Sequence, residues 1–463
     1  MPVRFGTDGI RGVANLDLTP DVALALGRAV ADVLPSEAVV VGRDTRRSGP
    51  MLQAAVTAGL ASRGVGVVDV GVLPTPGVAF TAARRNCPAV MVSASHNPFA
   101  DNGLKVFGRG GRKLADGDER ALEDALGRAL AGAAGAGAPA SAAGHGTGAA
   151  VPVGAEVGPV ATDADAADAY VEATVAALEG RDLAGMRVVL DCANGAAWQV
   201  GPAALRALGA EVSVIGDRPD GVNINAGCGS TQPEALAAAV VAGGADLGLA
   251  LDGDADRLLA VDHLGGTVTG DHLLALFAAD LRARGRLHGD AVVVTVMSNL
   301  GLRMALAGMG VAVHETPVGD RYVLEALDAG GLVLGGEQSG HLVFRSLATT
   351  GDGLLTAVLL ADLVRRAGLP LAELAGRAMT VVPQRMTSLR VADPATVAAG
   401  AAVAAALDRA RVALGEHGRV LVRPSGTEPV VRVMVEATDA ALADRVLAEV
   451  CAAVEAASTG VAP

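Results

Sequence analysis

Aromatic side chains are nearly missing from this chain: one Trp, two Tyr and six Phe among 463 residues, or 2%. The 51% hydrophobic content comes largely from Ala and Val, so small aliphatic packing has to do most of the burial. Basic residues are also scarce. Thirty-seven Lys and Arg face 50 Asp and Glu, a formal charge of -13, which leaves no basic face for nucleic acid. Any anionic substrate must therefore be held by a few local groups. Cys87, Cys192, Cys228 and Cys451 are far apart and match no zinc spacing, and a chain of this size needs no disulfide staples. They are expected to be reduced and mostly structural. Long apolar runs are absent too: Leu236 to Val241 is soon broken by Gly243, Gly244 and Asp246, so no membrane span is expected despite the positive mean hydropathy. Arg4, Asp8 and Arg11 among glycines leave no room for the apolar core of a signal peptide, and a cytoplasmic protein is expected. There is no Walker A motif and no dinucleotide fingerprint after the first strand, which disfavours nucleotide binding.

The length calls for three or four hydrophobic cores. Apolar strands beginning at Ala38, Arg187 and Ala291 each lead into a polar turn, an Ala/Leu-rich helical stretch and a second strand, a degenerate repeat of βαβ character. This pattern predicts three α/β units with mixed, largely parallel sheets. Between Ala131 and Pro159 the chain is mostly Ala and Gly, which reads as a loop or linker. Helical spacing resumes over 163–178, where Asp163 or Asp165 is a candidate cap. After Leu369-Pro370 the pattern predicts a helix over 371–378, strands at 384–391, 420–423 and 430–435, and a last helix over about 439–456, an α+β unit. The expected organisation is four domains, 1–160, 161–262, 263–370 and 371–463, around a central cleft.

Chemistry concentrates at the ends of predicted strands. Ala89-Val90-Met91-Val92 reads as a buried strand that breaks open at Ser93-Ala94-Ser95-His96-Asn97-Pro98, placing a hydroxyl and an imidazole where open α/β sheets hold reactive groups. Alone, the same residues more often form a turn whose side chains cap a helix or loop. Asp252, Asp254 and Asp256 follow the strand-like run 247–251, and an i, i+2, i+4 set can project to one side of an extended segment and share a hard cation. An EF-hand is excluded, because its sixth position would be Arg257 and its twelfth His263. Mg²⁺, which favours a few carboxylates plus a phosphate oxygen, fits best, a solvated acidic turn being the alternative. Gly335-Gly336-Glu337-Gln338-Ser339-Gly340-His341 offers Glu337 and Ser339 to sugar hydroxyls, or forms a plain glycine turn. Arg423, Ser425, Gly426 and Thr427 make a compact anion cradle, with Arg432 one strand on, or a turn carrying a surface Arg. Arg11 and Lys105 read either as a phosphate ligand and a proton shuttle or as surface cations.

Together with Phe5-Gly6-Thr7-Asp8-Gly9-Ile10-Arg11-Gly12, these segments resemble, in order and separation, the α-D-phosphohexomutases, over nearly the whole chain. Gln338, the Ser93-Ala94-Ser95 lead-in and the 5–12 opening resemble the bacterial branch acting on glucosamine phosphates; phosphomannomutase/phosphoglucomutase relatives usually carry Met at the position of Gln338. The resemblance implies an isomerase in which Ser95 carries a phosphate and joins Asp252, Asp254 and Asp256 around one Mg²⁺. It implies that His96 and Lys105 assist proton movement, and that Arg11 and Arg257 bind or neutralise phosphate. Glu337, Ser339 and His341 would border the sugar, and Arg423, Ser425, Gly426, Thr427 and Arg432 would clamp the other phosphate. The implied reaction interconverts glucosamine 6-phosphate and glucosamine 1-phosphate for amino-sugar nucleotide and cell-wall precursor synthesis. Glucosamine or glucose 1,6-bisphosphate would be its intermediate or activator, and family analogy adds a homodimer. A metal-independent serine hydrolase is disfavoured because no Gly-x-Ser-x-Gly elbow surrounds Ser95. A sugar-phosphate sensor without turnover would leave the nucleophile and the Asp trio unexplained.

Overall fold

Runs of β-branched residues become strands and the Ala/Leu-rich stretches between them become helices, as their side-chain shapes favour. In the computed structural model, residues 9–134, 151–425 and 429–459 are described. The chain forms two compact units, 1–297 with 311–376, and 298–310 with 377–463.

The larger unit holds three α/β sheets. In the first, Ala38–Arg43 pairs in parallel with both Gly66–Val72 and Ala89–Val92, and Asp101–Gly108 returns antiparallel between Ala89–Val92 and Ile10–Val13. The second runs Thr267–Val268, Leu258–Asp262, Leu247–Leu251, Arg187–Asp191 and Glu211–Ile215, parallel at its centre and antiparallel at one flank. Ala312–Thr316, Ala291–Thr295, Leu334–Gly336 and Leu342–Phe344 repeat that plan in the third. Val39, Val40, Val41, Val90 and Val92 are wholly buried, each contributing about 1.5–3 kcal/mol by leaving water, which is how a chain so poor in aromatics builds its core. The smaller unit is an antiparallel sheet of Gln384–Arg390, Val430–Ala437 and Gly418–Pro424. Val403, Val431, Val433, Val435, Val446 and Val450 pack it against Ala401–Leu414 and Ala440–Thr459. Among the described residues no helix is long and apolar enough to cross a membrane.

Three expectations are corrected. The Ala/Gly stretch is not all linker: helix Asp116–Ala134 runs into it and Gly154–Glu156 form a 3₁₀ turn, and directly beyond it Val160–Thr162 join the first sheet beside Gly66–Val72. Ala-rich sequence extends a helix at low entropic cost wherever the preceding turns are already packed. Residues 135–150 lie outside the described residues. Neither Asp163 nor Asp165 caps Ala166–Ala176 by its side chain. Asp165 occupies the cap position without a capping hydrogen bond, while Asp163 accepts from the Asp165 N–H and pairs with Arg85 at 2.6 Å. The Asp trio, finally, lies on a turn and not on an extended segment.

Candidate active site

The strands end where the chemistry begins. Ser93–Asn97 follow the carboxyl end of Ala89–Val92, residues 252–256 that of Leu247–Leu251, and the Glu337–His341 loop that of Leu334–Gly336, the edge where open α/β sheets form crevices. Ser95 has φ +53°, a left-handed conformation costing about 1–2 kcal/mol for a residue with a Cβ. It is buried, and its Oγ–H donates to Asp252 Oδ2 at 2.5 Å, with His96 Nδ1 3.3 Å away.

Asp252, Asp254 and Asp256 are all buried, and one oxygen from each lies within 4.8 Å of the others. A tight turn achieves this. A Cβ on Gly253 would sit 2.6 Å from the Ser95 carbonyl oxygen, and Ala255 at φ +56° folds Asp256 back toward Asp252. Lys105, 1% exposed, donates from Nζ to Asp254 at 2.8 Å and to Asp256 at 3.2 Å, and Thr75 donates to Asp254 at 2.5 Å. Burial, then Asp256 and Asp254, push the Asp252 carboxyl well up. Burial opposes the charge of Asp256 too, but Lys105, His341 and Arg257 outweigh it and hold that group well below the usual carboxylate range. Asp254 Oδ1 and Asp256 Oδ1 are buried with no hydrogen-bond partner among the described residues. Orphaned oxygens in an all-oxygen donor set are what a hard dication needs, so the trio could hold a metal ion, and its chemistry fits Mg²⁺. Added Mg²⁺ is expected to raise the melting temperature, by about 2.7 kcal/mol of stability at a hundredfold excess over Kd, and Asp254→Asn to remove the response. A melting curve indifferent to Mg²⁺ and chelator would refute the site.

Around this centre, Arg257 Nη1 lies 3.2 Å from His96 Nδ1 and its Nε 3.8 Å from Asp256. Burial and then Arg257 and Arg11 carry His96 down to about 4, leaving a neutral imidazole at neutral pH. Arg11 reaches the Ala94 carbonyl and Asn97 Oδ1, both at 3.4 Å. His341 lies deep, with Nδ1 3.8 Å from Asp256 and Nε2 3.9 Å from Asp320; burial disfavours its charge, but Asp256, Asp320 and Glu337 carry it up to about 9. Glu337 accepts from the Gly319 N–H at 3.2 Å and from the Ser339 hydroxyl at 3.1 Å. Ser95, His96, Lys105, Arg11, Arg257, His341 and the Asp trio are thus linked in one network, with Glu337 and Ser339 in the loop leading to His341. Arg423, Ser425 and Arg432 belong to the other compact unit. There Arg423 and Arg432 are direct cross-strand partners, a like-charge pairing that an anion would relieve. Burial and then Arg432 push Arg423 below its ordinary value. Gly426 and Thr427 lie outside the described residues.

The sequence pattern does not single out Asp44, Arg46, Thr75 or Asn225, all buried at this centre. One signal was available for Asp44 and Arg46, since charged residues closely following the apolar run Val39-Val40-Val41 fall at a strand's carboxyl end.

Four family signatures match along the chain. They are phosphoglucomutase/phosphomannomutase alpha/beta/alpha domain I over residues 2–131, domain II over 168–265, domain III over 269–382 and the C-terminal domain over 386–453. The phosphoglucosamine mutase of Thermobifida fusca (strain YX) is 51% identical over 453 residues, covering 95% of this chain and 96% of that protein. That of Mycobacterium ulcerans (strain Agy99) is 51% identical over 460 residues, covering 98% and 99%. Among solved structures, a phosphoglucomutase/phosphomannomutase family protein from Burkholderia thailandensis superposes with a TM-score of 0.80 at 28% identity, covering 100% of this chain and 99% of that one. The N-acetylphosphoglucosamine mutase of Aspergillus fumigatus, in complex with GlcNAc-6P and magnesium, shares the fold, with a TM-score of 0.68 at 18% identity and coverage of 98% and 96%. Matched by all four domains in their natural order, the chain belongs to the phosphoglucomutase/phosphomannomutase family, the α-D-phosphohexomutases.

Proposed function

We propose that this chain is an isomerase that interconverts glucosamine 6-phosphate and glucosamine 1-phosphate, the activity for which its half-identical relatives are named. The observation that carries the reading is Ser95 Oγ, 2.5 Å from Asp252 inside a metal-ready carboxylate trio. Phosphoryl transfer asks mainly for positioning and charge neutralisation, and both are built in here. Asp252, Asp254, Asp256 and the phosphate on Ser95 would hold one Mg²⁺, which would supply charge neutralisation for the transferring phosphoryl group. The sugar 1-hydroxyl attacks the phosphorus on Ser95; the Ser95 O–P bond breaks as the new one forms, giving the 1,6-bisphosphate. After the sugar turns end for end, Ser95 Oγ attacks the 6-phosphorus and the 6-oxygen leaves, giving the 1-phosphate.

The proton lost by the sugar hydroxyl is regained at the other end of the cycle, with His96 Nδ1 and Lys105 Nζ at hand to carry it. Arg11 and Arg257 support the reacting phosphate, while Glu337, Ser339 and His341 read the sugar. Arg423, Ser425, Gly426, Thr427 and Arg432 hold the phosphate that is not reacting. The 1,6-bisphosphate doubles as activator by recharging Ser95. The neighbouring reading, a mannose or glucose phosphate mutase, draws on the family signatures and the Burkholderia thailandensis structure, and Gln338 in the sugar loop argues against it. Comparing kcat/KM for glucosamine, glucose and mannose 1-phosphates is the test. Preference for glucosamine by about tenfold or more, the scale one pocket contact provides, is expected; preference for mannose would overturn the assignment.

A further inference from the structure

Nothing in the phosphoryl-transfer scheme uses Arg46, yet this guanidinium is wholly buried and fully engaged. Its Nε–H donates to Asp44 Oδ2 at 2.9 Å, Nη2 to the carbonyls of Ser95 and Asn97 at 2.8 Å each, and Nη1 to the carbonyls of Asp101 at 3.0 Å and of Pro98. Five N–H groups meet five acceptors, three of them on the loop that bears Ser95 and a fourth on Asp101, the first residue of the strand that follows it. From the second sheet's side, Asn225 repeats part of the pattern: its Nδ2 donates to the Ser95 carbonyl at 2.9 Å and to that of Asn97 at 3.1 Å. Two donors from different α/β layers therefore bridge the same two carbonyls. The other end of the residue is tied as well. The Ser95 N–H donates to Ser93 Oγ at 3.0 Å, and Ser93 donates to Asp44 Oδ2 at 2.7 Å, the atom that receives Arg46. Ser95 thus has both peptide groups fixed by the segment that follows strand Ala38–Arg43.

This connects to backbone strain. Of the nine non-glycine residues with positive φ among the described residues, five are Ser95, Ala193, Asn194, Asn225 and Ala255, which hydrogen bonds link to this centre. Strained conformations persist only where the surroundings over-determine them. Released from its carbonyl bonds, the Ser95 turn has every reason to relax toward negative φ, swinging Oγ away from Asp252.

We propose that Arg46 and Asn225 are positioning residues that clamp the left-handed turn at Ser95 and so aim its Oγ at the metal-binding carboxylates. The proposal rests on the reading of Ser95 as the phosphoryl carrier, and the experiment separates the two. Asn225→Ala and Arg46→Lys, which keeps the charge but offers three donors instead of five, are compared with wild type and with Ser95→Ala in steady-state mutase assays. Thermal melting checks that each variant is folded. Both clamp variants are expected to lose about 10²-fold in kcat, the cost of misplacing a reacting atom by about 1 Å, while KM for the sugar phosphate stays within about threefold. Arg46→Ala should recover about tenfold in kcat on adding guanidinium, a response that lost packing alone does not give. If Ser95→Ala is inactive but folded Asn225→Ala and Arg46→Lys keep kcat within about twofold of wild type, the clamp is refuted and the serine reading stands. If Ser95→Ala itself turns over normally, both fall.

Discussion

Ser95→Ala is expected to reduce mutase turnover by about 10⁴-fold or more, because no step of the proposed cycle bypasses the covalent phosphoserine. The protein should stay folded. The left-handed backbone strain is the same for Ala as for Ser, and the lost hydroxyl frees an Asp252 oxygen that Mg²⁺ can still use. The expectation extends to composition. Wild-type protein incubated with a hexose 1,6-bisphosphate should gain one phosphoryl mass on the peptide containing Ser95, and the variant none. Retained turnover in the variant, or phosphate on another residue, would end the reading. The neighbouring His96 cannot replace the hydroxyl: its Nδ1 sits 3.3 Å from Ser95 Oγ and 3.2 Å from Arg257, and it has no hydrogen bond to the Asp trio.

Lys105→Met is expected to be the most destabilising single change at the site, by about 3–5 kcal/mol, because it removes the cation from between two buried carboxylates. Lys105 is 1% exposed, and its ammonium lies 2.8 Å from Asp254 and 3.2 Å from Asp256, so water cannot take its place without opening the core. Much of that loss should return in excess Mg²⁺, since a dication held by the same trio compensates the same charge. Denaturant midpoints with and without Mg²⁺ measure both halves. A midpoint unchanged in the variant would show that Lys105 has no structural share in balancing the trio. A loss insensitive to Mg²⁺ would show that ammonium and metal do not act on the same charge.

Much of this was legible before any coordinates. The alternation of Val-rich strands with Ala/Leu-rich helices, the change of pattern after Pro370, and the helix over 371–378 follow from propensities and periodicities that act locally, and local preferences survive folding. Ser95, the Asp trio, the 335–341 loop and the Arg423 turn stood out because each is polar chemistry set directly after an apolar strand. The sequence spacing of the trio signals that its carboxylates converge, but not that a turn brings them together. A positive φ at Ala255 depends on contacts such as the Gly353 N–H bond to the Ala255 carbonyl, and no local preference of Ala signals it.

What the amino-acid order determined by itself, then, is the set of layers and the chemistry at their strand ends, since both are written in residues adjacent along the chain. Which groups share a charge, and what holds the serine, only the tertiary structure decided. Lys105 reaches Asp254 across a sequence separation of 149, and Asn225 reaches the Ser95 carbonyl across one of 130. Arg46 resembles any Arg after a strand until burial strips away its water and leaves five acceptors in its place. Desolvation and long-range pairing have no signature in a window of neighbouring residues, because both are properties of what the rest of the chain brings to the same place.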